Sequence, residues 1–386
     1  MLAHSGGPTP VINASLLGVL EEARRHPAIT GLLGAEFGID GILAARFIDL
    51  FRESDDTIAA IARTPSSSLG TSRREVTGAD LERLLDVFRI HSVRYLFYNG
   101  GNGSMGTAHE IQKLADRLSY DLNVIGIPKT IDNDLLETDH TPGYGSTARF
   151  FALALRDIGM DNRALPGQIE FVEILGRNAG WIVAATALAR SYPDDAPHLI
   201  YFPEQRLSLT KLCADVESVY RRLNRCVIAV CEGQLDEEGG TFGADARSGS
   251  RGTLAMNLAH RLALLVSKQL GIRTRSEKPG LLGRASAASV SDQDWREARL
   301  CGAAAVNAAV SGRRGKMVTL VRESDVPYSV STSLVDLERV AFAEKLLPAQ
   351  WRNEASNDVL PAFLDYAMPL VGVIPEHARF ELDFAF

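Results

Sequence analysis

Between Pro128 and Asp134 the chain reads Pro-Lys-Thr-Ile-Asp-Asn-Asp. One short turn therefore carries an ammonium (Lys129), a hydroxyl (Thr130) and two carboxylates two residues apart (Asp132, Asp134). These groups suit phosphoryl transfer. The cation neutralises phosphate, one carboxylate takes a hydroxyl proton, and the other holds a metal or hydrogen-bonds the first. The same residues would equally make a solvated turn closed by an internal ion pair, so their surroundings must decide.

The apolar run Asn123–Ile127 before the turn fits a short buried parallel strand. Pro128 should end it, because proline cannot donate to a ladder and holds the preceding residue extended. In open α/β sheets ligands bind beyond the carboxyl ends of strands, where this turn would sit. Upstream, Val93–Tyr98 reads as a second buried strand running into Asn99-Gly100-Gly101-Asn102-Gly103-Ser104-Met105-Gly106. A helix over Thr107–Ser119 then leads back to the organising strand. This is a β-α-β unit whose glycine loop lets backbone approach a ligand. It has no Walker lysine.

Met1–His4 reads as the tail of a strand, followed by Ser5-Gly6-Gly7-Pro8-Thr9-Pro10 and a helix over Val11–Arg25. Strand, glycine turn and helix N-terminus together can cradle an anion. A plain tight turn explains the glycine pair as well. Gly31–Gly41 gives a short strand and loop, and Thr77–Ile90 an amphipathic helix. Leu69–Arg74 is a polar turn with two arginines, either surface or phosphate contact.

The second half repeats this logic. Strands are expected at Gln168–Leu175, His198–Phe202 and Cys226–Cys231, with helices at Ser146–Ile158, Trp181–Ser191, Leu207–Asn224 and Trp295–Val310. Each strand end carries a polar or charged group. Leu235–Arg251, rich in glycine and acidic residues, reads as a lid or a simple loop. Leu347–Asp365 reads as loop plus helix packing over the body, without chemistry of its own.

A chain of 386 residues predicts two domains or one large α/β body. Hydrophobic content of 46% with 23% charged residues provides ample core. A net charge of −7 argues against a general nucleic-acid binder but leaves room for a local cationic pocket. The four cysteines show no C-x-x-C spacing, which excludes an obvious zinc site, and Cys226 and Cys231 read as core. With no apolar run of about 18 residues and no signal-like start, a cytoplasmic protein without membrane association is expected.

The motifs, taken together, resemble the phosphofructokinase family along nearly the whole chain. They are S-G-G at Ser5–Gly7, L-G-T-S-R at Leu69–Arg73, G-G-N-G-S at Gly100–Ser104 and P-K-T-I-D-N-D at Pro128–Asp134. E-I-L-G-R-N-A-G-W at Glu173–Trp181, P-E at Pro203–Glu204, E-G at Glu232–Gly233 and the turn ending in Arg284 complete the set. The resemblance implies an α/β fold of two similar Rossmann-like three-layer domains with the active site in the cleft between them. The larger would hold residues 1–143 and about 294–345 with the donor and catalytic loops, as family resemblance suggests. The smaller would hold residues 144–293 and the C-terminal segment. It implies Mg²⁺-dependent transfer of a phosphoryl group to O1 of fructose 6-phosphate, a glycolytic step, in a homodimer or homotetramer.

By position, the resemblance makes Asp132 the base, supported by Thr130 and Asp134, with Lys129 on the donor phosphates. Leu175, Gly176, Arg177, Glu232 and Arg284 match sugar-phosphate positions. Leu281 stands where a related branch has tyrosine. Gly6, Gly7, Arg73, Gly101, Gly103 and Ser104 match donor-phosphate contacts. Asn102 occupies the position of a metal carboxylate and offers only an amide oxygen. Gln168 replaces an arginine lent across a subunit interface, and Leu17 and Glu21 replace effector-binding arginines, so nucleotide-effector regulation is not expected.

The donor is the open question. Lys129 is the residue of pyrophosphate users, whereas Gly103 replaces the aspartate that crowds out a nucleotide. On sterics the sequence favours ATP, with pyrophosphate as the alternative. A sugar-phosphate-binding relative with weakened catalysis is a further reading. Another small-molecule kinase fits less well, because Arg177, Glu232 and Arg284 match the sugar side.

Overall fold

The computed structural model describes residues 1–240, 242, 257–341 and 343–380. In chain order the first body runs β1 (Leu2–His4), α1 (Ile12–Arg25), β2 (Leu33–Ala35), α2 (Gly38–Leu43) and β3 (Phe47–Asp49). It continues with α3 (Asp55–Ala62), α4 (Gly78–Ile90), β4 (Tyr95–Gly100), α5 (Asn102–Arg117) and β5 (Asn123–Pro128). The second begins at α6 (Tyr144–Ala164) and passes through β6 (Ile169–Ile174), α7 (Trp181–Ala185), β7 (Leu199–Tyr201) and β8 (Arg206–Leu207). It goes on to α8 (Leu209–Leu223), β9 (Cys226–Cys231), β10 (Leu235–Asp236), α9 (Leu258–Leu270) and β11 (Thr274–Glu277). The chain then returns through α10 (Asp292–Val310), β12 (Lys316–Asp325), β13 (Tyr328–Asp336) and α11 (Leu337–Val340), and α12 (Pro361–Val371) follows.

Seven strands form one sheet in the order β13-β12-β5-β4-β1-β2-β3, parallel except for its two outer pairs. Four form a wholly parallel sheet, β11-β6-β9-β7. Strand alternation feeds two cores per sheet. Leu2, Phe97 and Ile125 pack with α1 and α10, while Ala3, Tyr98 and Val124 pack with α4 and α5. In the smaller sheet Val172 and Val227 face α6, α7 and α12, whereas Phe171 and Ile228 face α8 and α9. Each sheet is therefore the middle of a three-layer sandwich, an architecture whose parallel strands must be buried on both faces.

Several expectations shift. The helix expected from Thr107 begins at Asn102, so most of the glycine loop is helical. Glycine's poor helix propensity hides this, and tertiary position overrides it. The stretch expected to be helical from Trp181 to Ser191 is α7 followed by a tighter turn at Thr186–Ala189. The β12–β13 hairpin was not expected, since most of its exposed positions are charged or hydroxylic. The Leu235–Arg251 excursion lies mostly outside the described residues, apart from its start at β10. All four cysteines are buried and unpaired. Among the described residues no helix is long and apolar enough to cross a membrane.

A buried charged network ties α10 to the segment after the Lys129–Asp134 turn. His140 lies between Asp139 (Nδ1 to Oδ2, 2.7 Å) and Glu297 (Nε2 to Oε2, 2.6 Å). Glu297 also accepts from Tyr328 (2.6 Å) and Gln293 (2.8 Å). Burial alone would lower the imidazole's pKa, but the charge of Glu297 and the bonds to both carboxylates outweigh it and raise it to about 9. A group raised in the folded state stabilises most when protonated in both states. The contribution of His140 to folding stability should thus be fullest below about pH 6.5 and decline as pH rises through about 9. Denaturant unfolding over that range should show the decline, and His140→Gln should flatten it.

Candidate active site

The carboxyl ends of β1, β4, β5, β6 and β9 converge on an open cavity of about 700 Å³. Size and polarity suit a small, highly charged ligand pair. One wall comes from the larger sheet. The turn after β1 is fixed by Gly6 N–H donating to Ser72 O (2.9 Å) and by Ser104 Oγ donating to Ser5 Oγ (2.8 Å). Gly6 has φ +78°, and a Cβ there would stand 3.3 Å from Lys129 Nζ. Glycine is thus needed twice, for backbone conformation and for space.

Helix α5 starts directly at the cavity. Its N-cap, Gly101, offers no side-chain cap, so the first N–H groups are open to a ligand. Lys129, 3% exposed, reaches between the two glycine segments and donates to Gly7 O (2.7 Å). Burial pushes its pKa down to about 8 against the pull of Asp132 and Asp134. A Cβ on Gly7 would meet Arg284 Nη1 at 3.2 Å and Arg73 Nη2 at 3.6 Å. Lys129, Arg73 and Arg284 therefore surround one short piece of backbone.

Thr130 Oγ1 accepts from Asp132 N–H (3.1 Å) and shapes the turn. Burial, then the Asp134 charge, pushes the Asp132 carboxyl up to about 7. Burial likewise raises Asp134, whose Oδ2 accepts from Asn102 Nδ2 at 3.1 Å. The Asn102 carbonyl oxygen is buried without a hydrogen-bond partner. Among the described residues no group of three or more His, Cys, Asp or Glu forms a metal cage.

The opposite wall comes from the smaller sheet, with Leu175, Arg177, Glu232, Leu281 and Arg284. Arg177 has φ +50°, and its carbonyl lies where a Cβ on Gly233 would come within 1.7 Å. The E-G pair thus lets the two strand ends approach. Glu232 is held above the usual carboxylate range by burial and by Glu173.

The structure gathers all but one of the sequence-derived candidates around this cavity. Gly176 does not line it. Its φ of +140° instead turns the chain beneath, where a Cβ would meet Ala179 O at 2.7 Å. Arg284, expected on the sugar side, also stands beside Gly7 and Arg73. Sequence reasoning missed Glu344, a lone carboxylate that lines the cavity from the segment after α11 and accepts from Asn178 Nδ2 (3.1 Å). Arg74, the second arginine of the turn read as surface or phosphate contact, lines the rim and pairs with Asp80 (2.8 Å) and Asp40 (3.2 Å).

Residues 1–311 match the family model for phosphofructokinase. The pyrophosphate–fructose 6-phosphate 1-phosphotransferase of Rhodospirillum rubrum is 38% identical over 381 residues, covering 96% of this chain and 94% of that one. An ATP-dependent 6-phosphofructokinase of Amycolatopsis methanolica is 28% identical, covering 85% and 72%. Among solved structures, the pyrophosphate-dependent phosphofructokinase of Marinobacter aquaeolei superposes with a TM-score of 0.87 at 33% identity, over 99% of both chains. The chain belongs to the phosphofructokinase family. It is a phosphotransferase with an alcohol group as acceptor, of a family that draws on ATP or diphosphate.

Proposed function

We propose that this protein transfers a phosphoryl group from pyrophosphate to O1 of fructose 6-phosphate. The observation that carries the donor assignment is Lys129, buried between the two glycine segments and flanked by Arg73 and Arg284. Lys129 and Arg73 beside so short a piece of backbone suit a compact, densely charged anion. The relatives sharing more of the sequence carry pyrophosphate in their names, whereas the ATP-dependent relative is more distant. This reading replaces the ATP preference drawn from Gly103. One observation still favours the nucleotide: a Cβ on Gly103 would meet nothing within 4 Å, which leaves space beside the donor loop.

In this reading Arg177, Glu232 and Arg284 hold the sugar phosphate, and Asp132 takes the proton from its 1-hydroxyl. As the new O–P bond forms, the bridging O–P bond of the donor breaks and orthophosphate leaves. Lys129, Arg73 and the open N–H groups of α5 face the charge on the transferring group. Magnesium fits at Asn102 and Asp134, since the Asn102 oxygen is a buried acceptor without a partner. When bound it would neutralise phosphate charge, with the donor's own oxygens completing its shell.

The test is turnover of fructose 6-phosphate with Mg²⁺ and either pyrophosphate or ATP. We expect kcat/KM to favour pyrophosphate by about 10²-fold or more, the scale of one lost charge-stabilising contact. Preference for ATP would overturn the donor assignment. Silence with both, alongside retained sugar-phosphate binding, would leave a binding protein.

A further inference from the structure

Beyond residue 311, where the family match ends, residues 344–347 cross from one wall of the cavity to the other. On the catalytic side, Lys345 N–H donates to Asp134 O (2.8 Å), and Glu344 bridges Leu135. On the sugar side, Trp181 Nε1 donates to Lys345 O (2.9 Å) and Asn178 Nδ2 to Glu344 (3.1 Å). Glu204 Oε1 then accepts from both Leu347 N–H (2.8 Å) and Gly180 N–H (2.7 Å). Asn178 follows Arg177 directly and Trp181 lies one turn beyond it, so this short strap joins the turn bearing Asp132 to the segment bearing Arg177.

The Lys345 side chain reaches Asn133 in the same turn and the carbonyls of the segment that follows it. Its ammonium donates to Asp139 O (2.7 Å) and Thr138 O (3.0 Å), touches Asn133 Oδ1 (3.5 Å) and lies 5.0 Å from the Trp181 ring centroid. Asn133 sits between the two site carboxylates with φ +55°, a left-handed conformation that asparagine adopts more readily than most residues. Its Nδ2 donates to Tyr366 OH (3.1 Å), which in turn donates to Asp139 O (3.0 Å). The constraints on Asn133 thus come from the C-terminal part of the chain, in which the sequence shows no chemistry.

We propose that Lys345 is a positioning residue for phosphoryl transfer: it locks the Asp132–Asp134 turn and, through the strap, sets its distance from the sugar-binding segment. This rests on the reading of Asp132 as the base. A misplacement of about 1 Å costs on the order of 10²-fold in rate. Lys345→Met keeps the length of the side chain and removes its donors. We expect kcat with pyrophosphate and fructose 6-phosphate to fall about 10- to 100-fold, while KM for fructose 6-phosphate moves less than about threefold, because Arg177, Glu232 and Arg284 are not touched. Tyr366→Phe removes one hydroxyl from the same lock and keeps the ring, so it should lower kcat in the same sense by less.

Both variants are repeated in an Asp132→Asn background. If Lys345 acts through Asp132, its loss there should cost less than about threefold, the non-additivity of residues working as a unit. A cost as large as in the wild-type background would overturn the positioning role and leave the base assignment standing. Unchanged kcat in both single variants would overturn it as well. An Asp132→Asn enzyme with full rate would instead overturn the base assignment itself.

Discussion

Asp132→Asn is expected to lower kcat by about 10²–10⁴-fold, the usual weight of a positioned general base, with fructose 6-phosphate affinity nearly unchanged. Asparagine keeps the shape of the turn and its bond from Asp132 N–H to Thr130, which is made by backbone (3.1 Å). What it removes is the proton acceptor. Burial and Asp134 place that acceptor near pH 7, so kcat/KM in the unaltered protein should rise with pH through about 7 as Asp132 deprotonates. Steady-state kinetics across pH, with sugar-phosphate binding measured by calorimetry, tests both parts. A collapse of sugar affinity with the rate would show that Asp132 holds the substrate rather than deprotonating it.

Lys129→Met should remove the cation on which the donor site is built. The expected loss is about 10²–10³-fold in kcat/KM for pyrophosphate, comparable with deleting one preorganised donor from a developing anion. The effect is large because the ammonium is buried, where a charge interacts more strongly than in water. Its desolvation is tolerated through Gly7 O at 2.7 Å and the two carboxylates of the turn. Fructose 6-phosphate binding, measured without donor, should survive. Equal losses for donor and sugar would mean that Lys129 supports the whole cavity and not the donor side.

The two predictions differ in how openly the sequence displays their residues. Val93–Tyr98, Asn123–Ile127 and Cys226–Cys231 are largely apolar runs leading into polar segments, so buried parallel strands with a site at their ends could be read directly. The family motifs then placed Asp132, Lys129 and Arg177 on the two walls. Other features depend on contacts made far along the chain. Arg284 looks like a sugar-side residue until folding sets it next to Gly7. Glu344 and Lys345 sit in a loop with no local pattern, and only the path of the strap brings them to the turn. Gly176 shares a motif with Arg177 but serves the bend beneath the site, a role set by its φ of +140°. Helix α5 conceals its start behind glycines that propensity assigns to a loop.

That start has a thermodynamic consequence. Among the described residues four helices recruit a serine or threonine to finish their first turn, as Thr77 does for α4 and Ser208 for α8. Helix α5 recruits nothing of its own. An anion in the cavity would serve as the missing capping group, so ligand affinity and the local order of this helix are coupled in one equilibrium. Order at the first turn of α5 would then report directly on whether the cavity holds an anion.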